Sequence, residues 1–216
     1  MIKLVDISVE CFDSLNFEIG AGSVCKIIGN SNTEINILFE TMLSLKKPIS
    51  GSVFLFNEDI FTMPNHELIK LLSRVGVVWQ NGGLISNLKV WENLTLAASY
   101  YGLKHEMLED KVIDIYNQLG INEALPELMG MIPAHLTDYE KKITAIIRAM
   151  IMNPDIMMYN IIFTGLEDDL IKNISEQLLK FHFEKPDRIS VFFSDEERVL
   201  KHIEGRTIRL QKILND

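Results

Sequence analysis

Eight residues that close an apolar run have the spacing of a phosphate-binding loop without its chemistry: Gly29, Asn30, Ser31, Asn32, Thr33, Glu34, Ile35 and Asn36. In the pattern G-x-x-x-x-G-K-[ST], backbone N–H groups cradle phosphate oxygens, a lysine meets the terminal phosphates and a hydroxyl holds Mg²⁺. Ile35 removes the charge that would neutralise a triphosphate, and Glu34 adds one of the wrong sign. Two unit charges ~4 Å apart interact at about 4 kcal/mol for an effective dielectric near 20, and here the interaction is repulsive. Asn36 offers a neutral amide where Mg²⁺ favours harder oxygen ligands. Asn32 tolerates left-handed backbone, so the shape of the loop is expected to outlive its charge.

The elements that position this loop alternate along the chain. "IKLVDISVE", "SLNFEIG" and "SVCKIIG" read as strands, and residues 35–45 carry apolar positions at helical spacing before Pro48 and Gly51 break the chain. "GSVFLFNEDI" reads as strand and turn, "PNHELIKLLSRV" as a helix and "RVGVVWQ" as a short strand. From Val90 to Met152 only helical patterns occur. Alternation resumes with "DIMMYN", a helix from about Asp168 to His182, "RISVFFS", a short helix "DEERVLKH" and a final strand "TIRLQ". The expected fold is α/β with a mostly parallel sheet covered on both faces. Residues 1–89 and 153–216 form its core, with an antiparallel N-terminal part, and residues 90–152 form an inserted helical subdomain. Ligands of such sheets lie at the carboxyl ends of strands, which is where the loops after "CKIIG", "IMMYN" and "VFFS" begin.

Bulk properties narrow the function classes. A net charge of -9 argues against non-specific nucleic-acid binding and against adhesion to anionic lipid, both of which need a cationic surface. The two cysteines, Cys11 and Cys25, lack metal-ligand spacing and read as buried, inert thiols in a reducing compartment. The first residues lack the basic-then-apolar pattern of a signal peptide, and the apolar runs are far shorter than the ~20 residues that span a bilayer. A cytoplasmic chain is expected.

The order of landmarks resembles the ATPase subunit of ABC transporters over essentially the whole chain. "RVGVVWQNGGLISNLKVWENL", residues 74–94, resembles the family's Q-loop and the helix that receives the transporter's coupling helix. Its Q-N-G-G-L form is similar to subunits of the Mla/Mce type, which energise lipid movement between membranes. Within "AHLTDYEKKITAIIRAMIMNPDIMMYNIIFTGLE" the resemblance places the signature motif, the Walker B strand and the D-loop. Leu136 keeps the first signature position, whereas Asp138 and Tyr139 replace the paired glycines. Asn160 stands at the Walker B aspartate, Ile161 at the catalytic glutamate, Ser194 at the switch histidine and Gln80 at the Q-loop glutamine. Phe12 is the only candidate for the family's adenine-stacking residue, and that role is not assigned to it.

Read physically, Ile161 cannot polarise a water, and Thr137 or Asp138 can cap the signature helix with its own oxygen, with Tyr139 crowding the approach. The resemblance therefore implies a nucleotide-binding-domain homologue that has lost hydrolysis. It implies no resident cofactor, with ATP and Mg²⁺ at most weakly held around Gly29–Asn36 and Gln80. Its implied partners are an integral-membrane permease docked near Gln80–Asn93 and a second nucleotide-binding domain, either a copy of this chain or an active ATPase. The chain would be peripheral to the inner membrane through that permease. Two other readings stay open: an atypical ATPase whose site is completed by a partner, and a free-standing interaction or sensor protein.

Overall fold

The computed structural model describes residues 1–120 and 125–210. Two sheets share the chain. β1 (Ile2–Val9), β2 (Phe12–Ile19), β4 (Ser50–Leu55) and the two-residue β5 (Glu58–Asp59) form an antiparallel sheet in the order β2-β1-β4-β5. β3 (Val24–Ile28), β6 (Val75–Val78), β7 (Ile156–Asn160), β8 (Ile189–Ser194) and β9 (Arg206–Arg209) form a parallel sheet in the order β6-β7-β8-β3-β9. Every residue of β7 and β8 is buried, which accounts for their continuous rather than alternating apolar runs. The antiparallel part precedes the parallel sheet, and helices are inserted between β6 and β7, the arrangement that the resemblance implies.

Helix α1 (Asn32–Met42) follows β3, and α2 (Asn65–Leu72) precedes β6. The insert holds α3 (Val90–Tyr100), α4 (His105–Gln118), α5 (Leu125–Gly130) and α6 (Asp138–Ile151), and α7 (Asp168–Phe183) joins β7 to β8. Two apolar clusters divide the interior. One lies between the antiparallel sheet, α1 and one face of the parallel sheet, and the other joins the inserted helices to α7 and the opposite face.

Three local differences from the sequence expectations have physical causes. α1 starts at Asn32 rather than at residue 35, because the Ser31 hydroxyl accepts the Glu34 N–H at 3.3 Å and caps the helix early. "GSVFLFNEDI" splits into β4 and β5 because Phe56 and Asn57 both take positive φ, the hairpin turn that matches strand twist. "DEERVLKH" supplies only a single 3-10 turn, Glu197–Leu200. Gln211 of the expected last strand lies outside the described residues.

Arg188, fully buried, fastens the base of the parallel sheet. Its guanidinium donates to the carbonyls of Pro154 and Phe181 and to the Asn153 side chain while stacking on the Phe181 ring, 3.6 Å from its centroid.

Candidate functional site

The carboxyl ends of β3, β7 and β8 meet at one edge of the parallel sheet, and their loops are bonded to each other. The Gly29 N–H donates to the Ser194 carbonyl at 3.0 Å, and the Ile161 N–H donates to the Phe193 carbonyl at 3.0 Å. The residues singled out around Gly29, Asn160, Ile161 and Ser194 are thus neighbours in space.

The loop after β3 has turned inward on itself. With α1 begun at Asn32, none of Gly29–Asn36 has positive φ, so the left-handed turn anticipated at Asn32 does not form and the expected loop shape is lost. Glu34, buried in the first turn of α1, accepts from the Asn30 N–H and from the Asn30 side-chain amide, both at 3.0 Å. A carboxylate of the chain itself occupies the backbone donor that a phosphate would seek, at a helix end that favours negative charge. Ile35 is fully buried, and its side chain presses so closely on Gly29 that a Cβ there would meet it at 2.9 Å. The Asn32 side-chain amide donates to both oxygens of Asp195 at 3.0 Å, in the only orientation that avoids facing oxygen to oxygen. Asp195 adds a second carboxylate at the mouth, and Ser31 and Thr33 contribute no cation.

The two positions at which the resemblance places Mg²⁺ ligands bind each other. Asn160 donates its side-chain amide to the Asn36 amide oxygen at 2.7 Å, across 124 residues of sequence. The Asn160 oxygen is buried without a partner among the described residues. Ile161, also buried, turns the chain with φ of 51°, a conformation that costs a β-branched residue about 1–2 kcal/mol. It lies in the same apolar cluster as Ile35. Two isoleucines stand where the resemblance calls for a lysine and a glutamate, and the core has extended into the site. Ser194 is buried, and its hydroxyl donates to the Glu196 carbonyl and accepts the Glu196 N–H, so it closes a turn and does not reach the mouth. Phe12 is buried in the core and unavailable for stacking.

Helix α6 is closed in the same manner. Thr137 caps it: the hydroxyl accepts the Glu140 N–H at 3.2 Å, and the Glu140 carboxylate takes the Thr137 N–H at 2.6 Å and its hydroxyl at 2.8 Å. Asp138, largely exposed, pairs instead with Lys141 at 3.3 Å. Tyr139 is half-buried and packs against the cluster of the inserted helices.

Gln80 sits apart from the closed loop. It lines a cavity of about 350 Å³ with Asn81, Asp138, Lys141, Lys142 and Thr164. The loop that carries it is fixed to α6, since Arg148 donates to the carbonyls of Gly83 and Gly82 at 2.7 and 2.9 Å. Gly82 has φ of 82°, and a Cβ there would meet the Lys141 carbonyl at 2.8 Å, so the position needs glycine. Burial pushes the Lys142 ammonium below its usual range, with Asp138 opposing; sequence reasoning passed over this residue, because only tertiary packing buries it.

Farther along, Asn93 is buried and organises the segment before α3. Its amide oxygen accepts the Ile85 N–H at 2.7 Å, and its amide nitrogen lies 3.0–3.1 Å from the carbonyls of Ile85, Leu88 and Lys89. Beside this segment a cleft of about 330 Å³ is lined by Ile69, Leu72, Val77, Ala97, Tyr101 and Arg148. Leu96 and Tyr100 are exposed next to it. Of the two thiols, Cys25 is buried and Cys11 only half-buried; burial raises both to about 11, with the Glu34 charge adding to the shift at Cys11.

The family described as "ABC transporter" matches residues 12–159. The chain belongs to that family. Among curated relatives, a methionine import ATP-binding protein, MetN 1 of Acinetobacter baylyi, is 26% identical over 177 residues, 79% of this chain and 49% of the relative. A putative hemin import ATP-binding protein, HrtA of Staphylococcus haemolyticus, is 25% identical over 206 residues, 95% of this chain and 90% of the relative. The chain spans about half the length of the methionine-import relatives it matches. The ABC cassette MJ0796, in a dimeric post-hydrolysis state bound to ADP and Pi, superposes with a TM-score of 0.85 at 22% identity, covering 98% of this chain and 94% of that one. No described helix is long and apolar enough to cross a membrane.

ABC ATPase domains bind ATP with Mg²⁺. The residues at the corresponding positions of this ABC-family chain do not fit that ligand. The loop's donor at Asn30 is taken by Glu34, the lysine position is core, and the Mg²⁺ positions are two neutral amides bonded to each other.

Proposed function

We propose that this chain is a non-hydrolysing member of the ABC family that acts as a structural or regulatory subunit of a transport complex. The observation that carries this reading is the carboxylate of Glu34 seated on the Asn30 N–H, inside the loop that in the family receives phosphate. The capped start of α6 and the Asn36–Asn160 amide pair point the same way. Such a subunit docks on an integral-membrane permease through the apolar cleft beside the Gln80–Asn93 segment. It pairs with a second nucleotide-binding domain, its own copy or an active ATPase, and is cytoplasmic and peripheral to the membrane. The names of the matched relatives favour an importer-type complex over the lipid-type one that the Gln80 segment resembles.

Turnover by the purified complex tests the reading. Substituting Asn30, Asn36 or Asn160 should leave vanadate-sensitive ATP hydrolysis unchanged, whereas loss of turnover would mean that this chain's site takes part.

A further inference from the structure

The first turns of α6, the Gln80 loop and the Thr164–Gly165 turn enclose a cavity of about 350 Å³ whose wall carries the buried Lys142 ammonium as well as Lys141 and the Asp138 carboxylate. Lys142 is only 6% exposed. One of its three N–H groups goes to the Thr164 carbonyl, and among the described residues no carboxylate pairs with it. Nearby Asp138 is already held by Lys141. A buried ammonium needs a counter-charge or several acceptors, and one carbonyl is a poor substitute for water. Around it stand the Lys141 side chain, the side-chain amides of Gln80 and Asn81, and Gly165, whose missing Cβ faces open space. Lys141 and the two amide NH₂ groups can donate into the cavity, the Asn81 amide oxygen being engaged by the Gly83 N–H at 3.2 Å, in a chain whose net charge is -9.

We propose that this cavity is a binding site for a small oxyanion, a phosphate or carboxylate group, with Lys142 as its principal ligand and the Gln80 and Asn81 amides completing the shell. The site is separate from the loop closed by Glu34 and does not require nucleotide binding there. An occupant would tie the Gln80 loop, α6 and the Thr164–Gly165 turn together.

The test is thermal unfolding of the full chain in rising inorganic phosphate, and separately in succinate, each against NaCl of matched ionic strength. Phosphate at ten times its dissociation constant should raise the melting temperature by roughly 3–6 °C. Lys142→Met should abolish the rise without lowering the melting temperature in NaCl, because a similar volume replaces a poorly compensated charge. Succinate acting in place of phosphate would assign the carboxylate source. A readout that needs no variant is amide NMR: the signals of Thr164, Gly165 and Asp138 should move with phosphate, and those of Asn30–Glu34 should not. No saturable response beyond NaCl, or one kept in Lys142→Met, overturns the proposal. Shifts confined to Asn30–Glu34 would overturn it too, and would in addition contradict the closed loop on which the proposed function rests.

Discussion

Two surfaces of this molecule have been treated oppositely. At the loops that follow β3, β7 and β8, polar side chains at the family's nucleotide positions bond to other groups of the chain: Glu34 to Asn30, the Asn160 amide N–H to Asn36, Ser194 to Glu196. At the cleft between α2, β6, α3 and α6, apolar side chains stay exposed around a preformed hollow, and a buried Asn93 holds the neighbouring segment in shape. On the proposed reading, side-chain bonds and core packing stand in for ligand contacts in the first place and not in the second. A fold whose chemistry drifts while a partner still constrains its outer surface would show this pattern, since docking and chemistry use different residues.

Ile35→Lys probes the contrast most severely. Restoring the family's residue at the mouth should destabilise the chain by about 3–5 kcal/mol in denaturant titration, because the ammonium would enter the apolar cluster that Ile35 shares with Ile161. An unchanged midpoint would mean that position 35 can still face outward. At the cleft, Ala97→Arg should weaken association with a permease ~30-fold or more in a binding assay, at a cost in stability within about 0.5 kcal/mol. Equal binding would show that the exposed cleft is not the contact. Asn36→Leu leaves both polar atoms of the buried Asn160 amide unpaired and should cost about 1–3 kcal/mol.

The smallest effect lies away from both surfaces and serves as a baseline. His182 is buried between the Ser190 hydroxyl at 3.0 Å and the Gly22 carbonyl at 3.3 Å. Burial lowers its pKa, the Gly22 bond opposes that, and the Arg188 charge adds to it. The unfolded chain then takes up the proton first, so stability is full above about pH 6.5 and declines as pH falls through the folded value. The melting temperature should fall as pH drops below about 6.5, and His182→Gln should flatten that fall.

Much of this was legible in the sequence. Continuous apolar runs marked β3, β7 and β8, and the glycine that ends β3 marked the mouth. Substitution at the lysine, hydroxyl and carboxylate positions was visible residue by residue. The manner of closure is readable in part: Ser31-x-x-Glu34 and Thr137-x-x-Glu140 both have the capping spacing, but an apolar helical pattern that begins only at Ile35 masks the first, and with it the inward turn of Glu34. The Asn36–Asn160 bond joins residues 124 apart, and the burial of Lys142 depends on the Thr164 turn; neither has a local signature.

Titration of the purified chain with Mg-ATP, followed by calorimetry and by thermal unfolding, tests the closed mouth most directly. The expected result is no heat of binding and no change in melting temperature at millimolar nucleotide. A saturable signal with a rise of roughly 5–10 °C at ~100 times the dissociation constant would contradict it, and would mean that the Glu34 carboxylate gives way to phosphate.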